Sequence, residues 1–115
     1  PLTSDPVRFA RNREIATALP AVTIGLPTYG WLYAASRAMA DAGDEAFPTR
    51  ISPPILLVAG SLDRVISVPA VERLAGELRT ASFVLVPGAR HEVLMERNRM
   101  REQYWAAFDA FVPGS

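Results

Sequence analysis

Two short apolar runs, each bounded by proline or glycine, constrain this chain most. Ile55 to Ala59 follows Pro53-Pro54, and Ser82 to Val86 is stopped by Pro87-Gly88. Proline cannot donate to a sheet ladder, so the first strand must begin after Pro54. Continuous apolar runs of this length read as parallel strands covered by helices on both faces. Between them Ser67 is placed to cap a helix with Pro69 in its first turn. Val68, Val71, Leu74, Ala75 and Leu78 make that helix's apolar stripe. A last helix starts near Asn98. Met100, Tyr104, Ala107, Phe108 and Phe111 recur along it at helical spacing, and Pro113-Gly114 ends it. Residues 51–115 therefore read β-α-β-α, an α/β arrangement whose parallel strands are joined by a right-handed crossover.

Residues 1–50 carry no strand signal and read as helix-loop-helix. Asp5 can cap free N–H groups, and Pro6 at the first helical position lacks the donor that would go unpaired. This helix runs to about Ala18 and stops before Pro20. Residues 20–28 form a loop, and Thr28 caps a second helix. Its face carries Trp31, Ala35, Ala38, Met39 and Ala42, and Gly43 suits a left-handed terminator. Residues 44–54 connect to the first strand. The domain boundary is expected at residue 50, between a helical segment and the α/β part.

The composition excludes several functions. There is no cysteine, so disulfides, thiolate catalysis and cysteine-based zinc sites are ruled out within these 115 residues. One histidine cannot build a multi-histidine metal site. Net charge is zero, with no clustered basic surface of the kind that nucleic acid requires. No apolar run is long enough to span a bilayer. No signal peptide is read in these residues, and none is expected in them if the true N-terminus lies upstream; a cytoplasmic location is expected. The start at Pro1 without methionine suggests a processed or trimmed product. All twelve basic residues are arginine, which suggests a GC-rich bacterial source.

The chemistry concentrates in the two loops that follow the strands. Asp63 lies in Gly60-Ser61-Leu62-Asp63-Arg64, and His91 lies in Gly88-Ala89-Arg90-His91-Glu92. Either residue alone has a plain structural reading, as a turn former or a core histidine. As a pair they occupy corresponding loops of consecutive βα units. Ligands of open α/β sheets bind beyond the strands' carboxyl ends. A carboxylate there can accept the imidazole Nδ1–H and fix its tautomer, leaving Nε2 free to take a proton from a nucleophile. The pair is expected within hydrogen-bond reach, beyond the ends of adjacent parallel strands. No Gly-x-Ser-x-Gly occurs, and Ser61 lacks the strained strand-to-helix turn of a nucleophile, so it reads as a loop residue. Arg97, Arg99 and Arg101, near Glu96 and Glu102, read as a solvated helix face. Asp41, Asp44 and Glu45 read as helix-end and loop charges.

The stretch from Pro54 through Phe111 resembles the C-terminal region of α/β-hydrolases. Leu2-Thr3-Ser4-Asp5-Pro6-Val7-Arg8-Phe9 and Gly25-Leu26-Pro27-Thr28-Tyr29-Gly30-Trp31-Leu32 look like segments of the bacterial lysophospholipase and monoacylglycerol-lipase-like group. Gly88-Ala89-Arg90-His91-Glu92, followed by Glu96, looks like that group's histidine loop. Asn98 departs from it, where aspartate is expected; asparagine would cap the helix equally well.

The resemblance implies a serine ester hydrolase acting on a lysophospholipid or monoacylglycerol. Its nucleophile and oxyanion hole would lie upstream, in an N-terminal half that these residues do not include. His91 would serve as general base and then general acid, and Asp63 would orient it. No cofactor or metal is implied. Tyr29, Trp31 and Leu32, with Tyr33, read either as core or as the lining of an acyl-chain pocket in a helical cap spanning residues 1–50. The chain alone would be inactive, needing its missing half or a second copy as partner. It would touch lipid surfaces only briefly. Two alternatives remain: a hydrolase with an aspartate nucleophile, such as a dehalogenase or epoxide hydrolase, and a non-catalytic module that binds a partner.

Overall fold

The two expected strands pair in parallel. β1 (Ile55–Gly60) and β2 (Ala81–Val86) run in the register Ile55↔Ala81 through Gly60↔Val86. The computed structural model describes residues 1–112. Among these, the sheet is accompanied by four α-helices: α1 (Pro6–Ala18), α2 (Tyr29–Ala42), α3 (Val68–Glu77) and α4 (Asn98–Phe111). Short 3-10 turns occupy Pro20–Val22, Pro48–Arg50 and Val93–Met95. The architecture is mixed α/β, and α3 forms the crossover from β1 to β2. Each strand is one residue longer than the apolar run suggested, taking in Gly60 and Ala81. The expected stop at Pro113-Gly114 lies outside the described residues.

Local chemistry explains the helix starts, with some differences from the sequence reading. Asp5 Oδ1 accepts from Val7 N–H at 2.9 Å and Arg8 N–H at 3.0 Å, which fixes the start of α1. Thr28 Oγ1 accepts from Trp31 N–H at 3.1 Å at the start of α2. Ser67 occupies the cap position of α3, but its side chain makes no capping bond. Asn98 does not cap α4. Arg97 holds that position, and Asn98 Oδ1 instead accepts from Arg8 Nη2 at 2.6 Å. Gly43 is right-handed, at φ −84° and ψ −4°. The chain keeps turning in the same hand there, as Asp44 N–H bonds Asp41 O and Phe47 N–H bonds Asp44 O.

The core sits at the carboxyl end of the strands. Val86, Ala89 and Val93 form a buried cluster, with Val58, Val84, Met100 and Tyr104 packed against it. Leu78, just past α3, and Ala59 are also buried. No residue within the four helices is fully buried. The expected stripe on α2 is not a core face, because Trp31 is 60% exposed and Met39 68%. Consistent with this openness, the Cα radius of gyration is 16.4 Å, against about 13 Å for a compact domain of this length.

Gly60 is the point where the two loops touch. A Cβ at this position would lie 2.7 Å from the Ala89 carbonyl carbon and closer still to the carbonyl oxygens of Ala89 and Arg90. All three obstacles are backbone, so the clash cannot be relieved by a side-chain rotation. We expect Gly60→Ala to destabilise the protein by about 3 kcal/mol, at the upper end of what forced overpacking costs. Urea unfolding of the variant and wild type measures the difference. A midpoint equal to wild type would show that the loops do not need this approach.

Candidate active site

Asp63 and His91 come together beyond the sheet. His91 Nδ1 lies 2.9 Å from Asp63 Oδ2. The strands end level with each other, and backbone bonds then tie the loops that follow. Ser61 N–H bonds Val86 O at 3.0 Å, and Leu62 N–H bonds Ala89 O at 2.9 Å. Gly88 turns the histidine loop in the left-handed region, at φ 76°, and its N–H donates to Ser61 Oγ at 2.8 Å. Ser61 is therefore a bracket between the two loops, in keeping with its reading as a loop residue.

The Asp63 carboxylate divides its work. Oδ1 accepts from the backbone N–H groups of Val65 at 2.7 Å and Ile66 at 3.2 Å, and Oδ2 faces the imidazole. The side chain is 2% exposed, whereas that of His91 is 35% exposed. Burial opposes ionisation of Asp63. The Val65 amide, the His91 ring and the Ile66 amide together outweigh it and hold its pKa below the ordinary aspartate value. Asp63 is therefore an acceptor at neutral pH, which places the imidazole proton on Nδ1.

A cleft of about 350 Å³ lies beside the imidazole, lined by Pro1, Leu2, Leu62, Arg64, Val65, Arg90 and His91. Tyr29, Trp31 and Leu32 are not among its lining residues. They stand at the start of α2 and are 93%, 60% and 46% exposed. Among the described residues no group of three or more histidine, cysteine, aspartate or glutamate side chains could hold a metal ion. No helix among them is long and apolar enough to cross a membrane.

Glu96 differs most from its sequence reading. It is fully buried rather than part of a solvated face. Oε1 accepts from Ser4 N–H and Arg90 N–H, each at 2.9 Å, and Oε2 accepts from the Ser4 hydroxyl. Its own carbonyl accepts from Arg8, which is also paired with Asp5 at 2.9 Å. Burial opposes its charge, but the Ser4 hydroxyl and the Arg90 and Ser4 amides, helped by Thr3, hold its pKa below the ordinary glutamate value. Periodicity could not reveal this, because Ser4, which bonds both carboxylate oxygens, comes from the far end of the chain. The available signal was its position ahead of the last helix, inside the stretch that resembles a histidine loop.

The class of protein follows. The sequence profile of the serine aminopeptidase S33 family matches residues 2–98, and the chain belongs to this α/β-hydrolase family. It is similar to lysophospholipase L2 of Escherichia coli strain K12, with 33% identity over 112 residues, 87% of this chain and 31% of that protein. It is also similar to the probable lysophospholipase L2 of Haemophilus influenzae, with 25% identity over 111 residues, 96% of this chain and 35% of that protein. The chain thus spans about a third of the length of these curated relatives.

The depressed pKa of Glu96 makes stability depend on pH with a definite sign. Its folded value lies below its unfolded value, so the unfolded chain binds the proton first as the pH falls. The contribution is complete above the ordinary glutamate range and is lost as the pH drops below about 4.3. Asp63 and Asp5 act in the same direction, Asp5 chiefly through its bond from the Arg8 amide. We expect Glu96→Gln to lower stability at neutral pH and to flatten, without abolishing, the acid limb of a urea-midpoint profile. An acid limb identical to that of wild type would contradict the assignment.

Proposed function

We propose that this chain supplies the acid and the histidine of a Ser-His-Asp triad to a carboxylic ester hydrolase. The observation that carries the reading is the 2.9 Å contact between His91 Nδ1 and Asp63 Oδ2, set beyond the ends of two adjacent parallel strands. In this reading His91 Nε2 takes the proton from a serine hydroxyl and then returns it to the leaving alcohol. Asp63 holds the tautomer and stabilises the imidazolium. The serine and the oxyanion hole come from residues outside these 115, in the N-terminal half of an α/β-hydrolase.

The proposed substrate is a lysophospholipid or monoacylglycerol. Its support is the similarity to proteins named lysophospholipase L2. Residues 1–50 are proposed as a helical cap joined to a core of residues 51–115. Within that cap, Tyr29, Trp31 and Leu32 are proposed to contact the acyl chain. They present a mostly aromatic surface at the start of α2. The open edges of the two-stranded sheet are proposed to be covered by the N-terminal half or by a second copy.

The test uses the enzyme that contains both the nucleophile and this chain. A serine-directed fluorophosphonate should label it, and it should hydrolyse monoacylglycerol and lysophospholipid. His91→Ala should remove nearly all turnover while the fold stays near wild type, because triad members act as one unit. Asp63→Asn should cost about ten-thousand-fold by favouring the wrong tautomer. The 115-residue chain alone should show no ester hydrolysis. Near-normal esterase activity in His91→Ala would refute the triad. Hydrolysis without fluorophosphonate labelling would point to an aspartate nucleophile.

A further inference from the structure

His91 is held from three directions, and two of them lead to Glu96. Its ring is held by Asp63. On one side of it in sequence, Arg90 N–H donates to Glu96 Oε1 at 2.9 Å. On the other, Glu92 N–H donates to the carbonyl of Leu2 at 2.9 Å. Leu2 belongs to a segment that Glu96 itself fastens through the amide and hydroxyl of Ser4. The same segment is tied again where Thr3 Oγ1 donates to Met95 O at 2.8 Å and Arg90 Nη1 donates to Thr3 O at 3.2 Å. One fully buried carboxylate thus closes a ring that runs from Arg90 through His91 and Glu92 to Leu2 and Ser4.

Resting on the reading of Asp63 and His91 as acid and base, we propose that Glu96 is the positioning residue for His91. It acts through the Arg90 amide and through the Leu2–Ser4 strap. It does not bond the imidazole, so it takes no part in proton transfer. Its work is to fix where the backbone of His91 lies, and hence where Nε2 points once Asp63 has taken Nδ1. Proton transfer demands this, because a misplacement of about 1 Å at a reacting group costs about a hundredfold in rate.

The strap is therefore part of the site. Leu2 and Pro1 line the cleft beside the imidazole, and the strap's carbonyls are spent on the histidine loop. A carboxylate suits this task better than a neutral group. It accepts bonds from both the loop and the strap, and bonds to an ionised acceptor are shorter and stronger than neutral ones.

The experiment compares Glu96→Ala, Glu96→Gln and Leu78→Ala in the enzyme that contains this chain. Leu78 is buried and lies outside the site, so it controls for plain loss of stability. The imidazole resonances of His91 are read by NMR and assigned by their disappearance in His91→Ala. In Glu96→Ala they should move toward those of Asp63→Asn. In Glu96→Gln they should stay near wild type, because the amide oxygen can still accept from Arg90 and Ser4. In Leu78→Ala they should not move. In parallel, Glu96→Ala should lower kcat about a hundredfold with little change in KM.

An unmoved imidazole in folded Glu96→Ala would overturn the proposal, as would an equal shift in Leu78→Ala. If Glu96→Ala does not fold, Glu96→Asp carries the test, because it retracts the carboxylate by one methylene and keeps its charge. The same shift is then expected, and its absence overturns the proposal. A protein with no esterase activity would refute the functional reading, and the imidazole spectra would still decide the positioning role.

Discussion

Gly60 and Val86 are the last partners of the β1–β2 ladder, so the chain leaves both strands at the same level. Loops that start level and about 4.8 Å apart must either splay or join. Here they join. The missing Cβ of Gly60 lets the carbonyls of Ala89 and Arg90 approach its backbone. Ser61 and Leu62 then extend the pairing by two more amide bonds, to Val86 and Ala89. Gly88, in the left-handed region, reverses the histidine loop so that it can receive them. The meeting of Asp63 and His91 is the last step of this sequence of backbone contacts.

That dependence explains what the sequence could reveal. The strands, the crossover helix and the acid-histidine pair were legible because each follows from patterns inside consecutive βα units. Pro53-Pro54 and Pro87-Gly88 marked the strand limits, and topology placed the two loops side by side. Asp5 and Thr28 were legible as caps because a cap acts within three residues. Asn98 broke the same rule because Arg8 claims its side-chain oxygen. Glu96 was not legible for a related reason. It sits among arginines and glutamates that look solvated, and Ser4, which bonds it, is 92 residues away. Local charge patterning reports on neighbours in sequence and carries no information about a strap that arrives from the other end of the chain.

The apolar stripes teach a second lesson. A 3.6-residue period shows that a helix has an apolar face, but it does not say what covers that face. On α4 the stripe is partly used: Met100 and Tyr104 pack on the Val86 cluster, and Tyr104 and Phe108 stack at 6.3 Å. On α2 it is uncovered, with Trp31 and Met39 both exposed. The packed part of the molecule is therefore concentrated where the strands end and the loops meet. Cohesion and candidate chemistry occupy the same place, so substitutions at Gly60 or Ala89 perturb both.

The carboxylates at this end of the sheet share one physical device. Asp63 commits Oδ1 to two amides of its own loop, so the direction of Oδ2 is set by the backbone, independently of His91. Glu96 commits both oxygens to two segments that would otherwise be separate. In each case burial alone would favour the neutral acid, and fixed N–H and O–H donors reverse that preference. A carboxylate held this way is charged and oriented before its partner responds, which is the condition for electrostatic preorganisation. The proton on His91 Nδ1 is then dictated by the protein rather than by solvent. An exposed aspartate at the same distance could not do this, because water would compete for both of its oxygens.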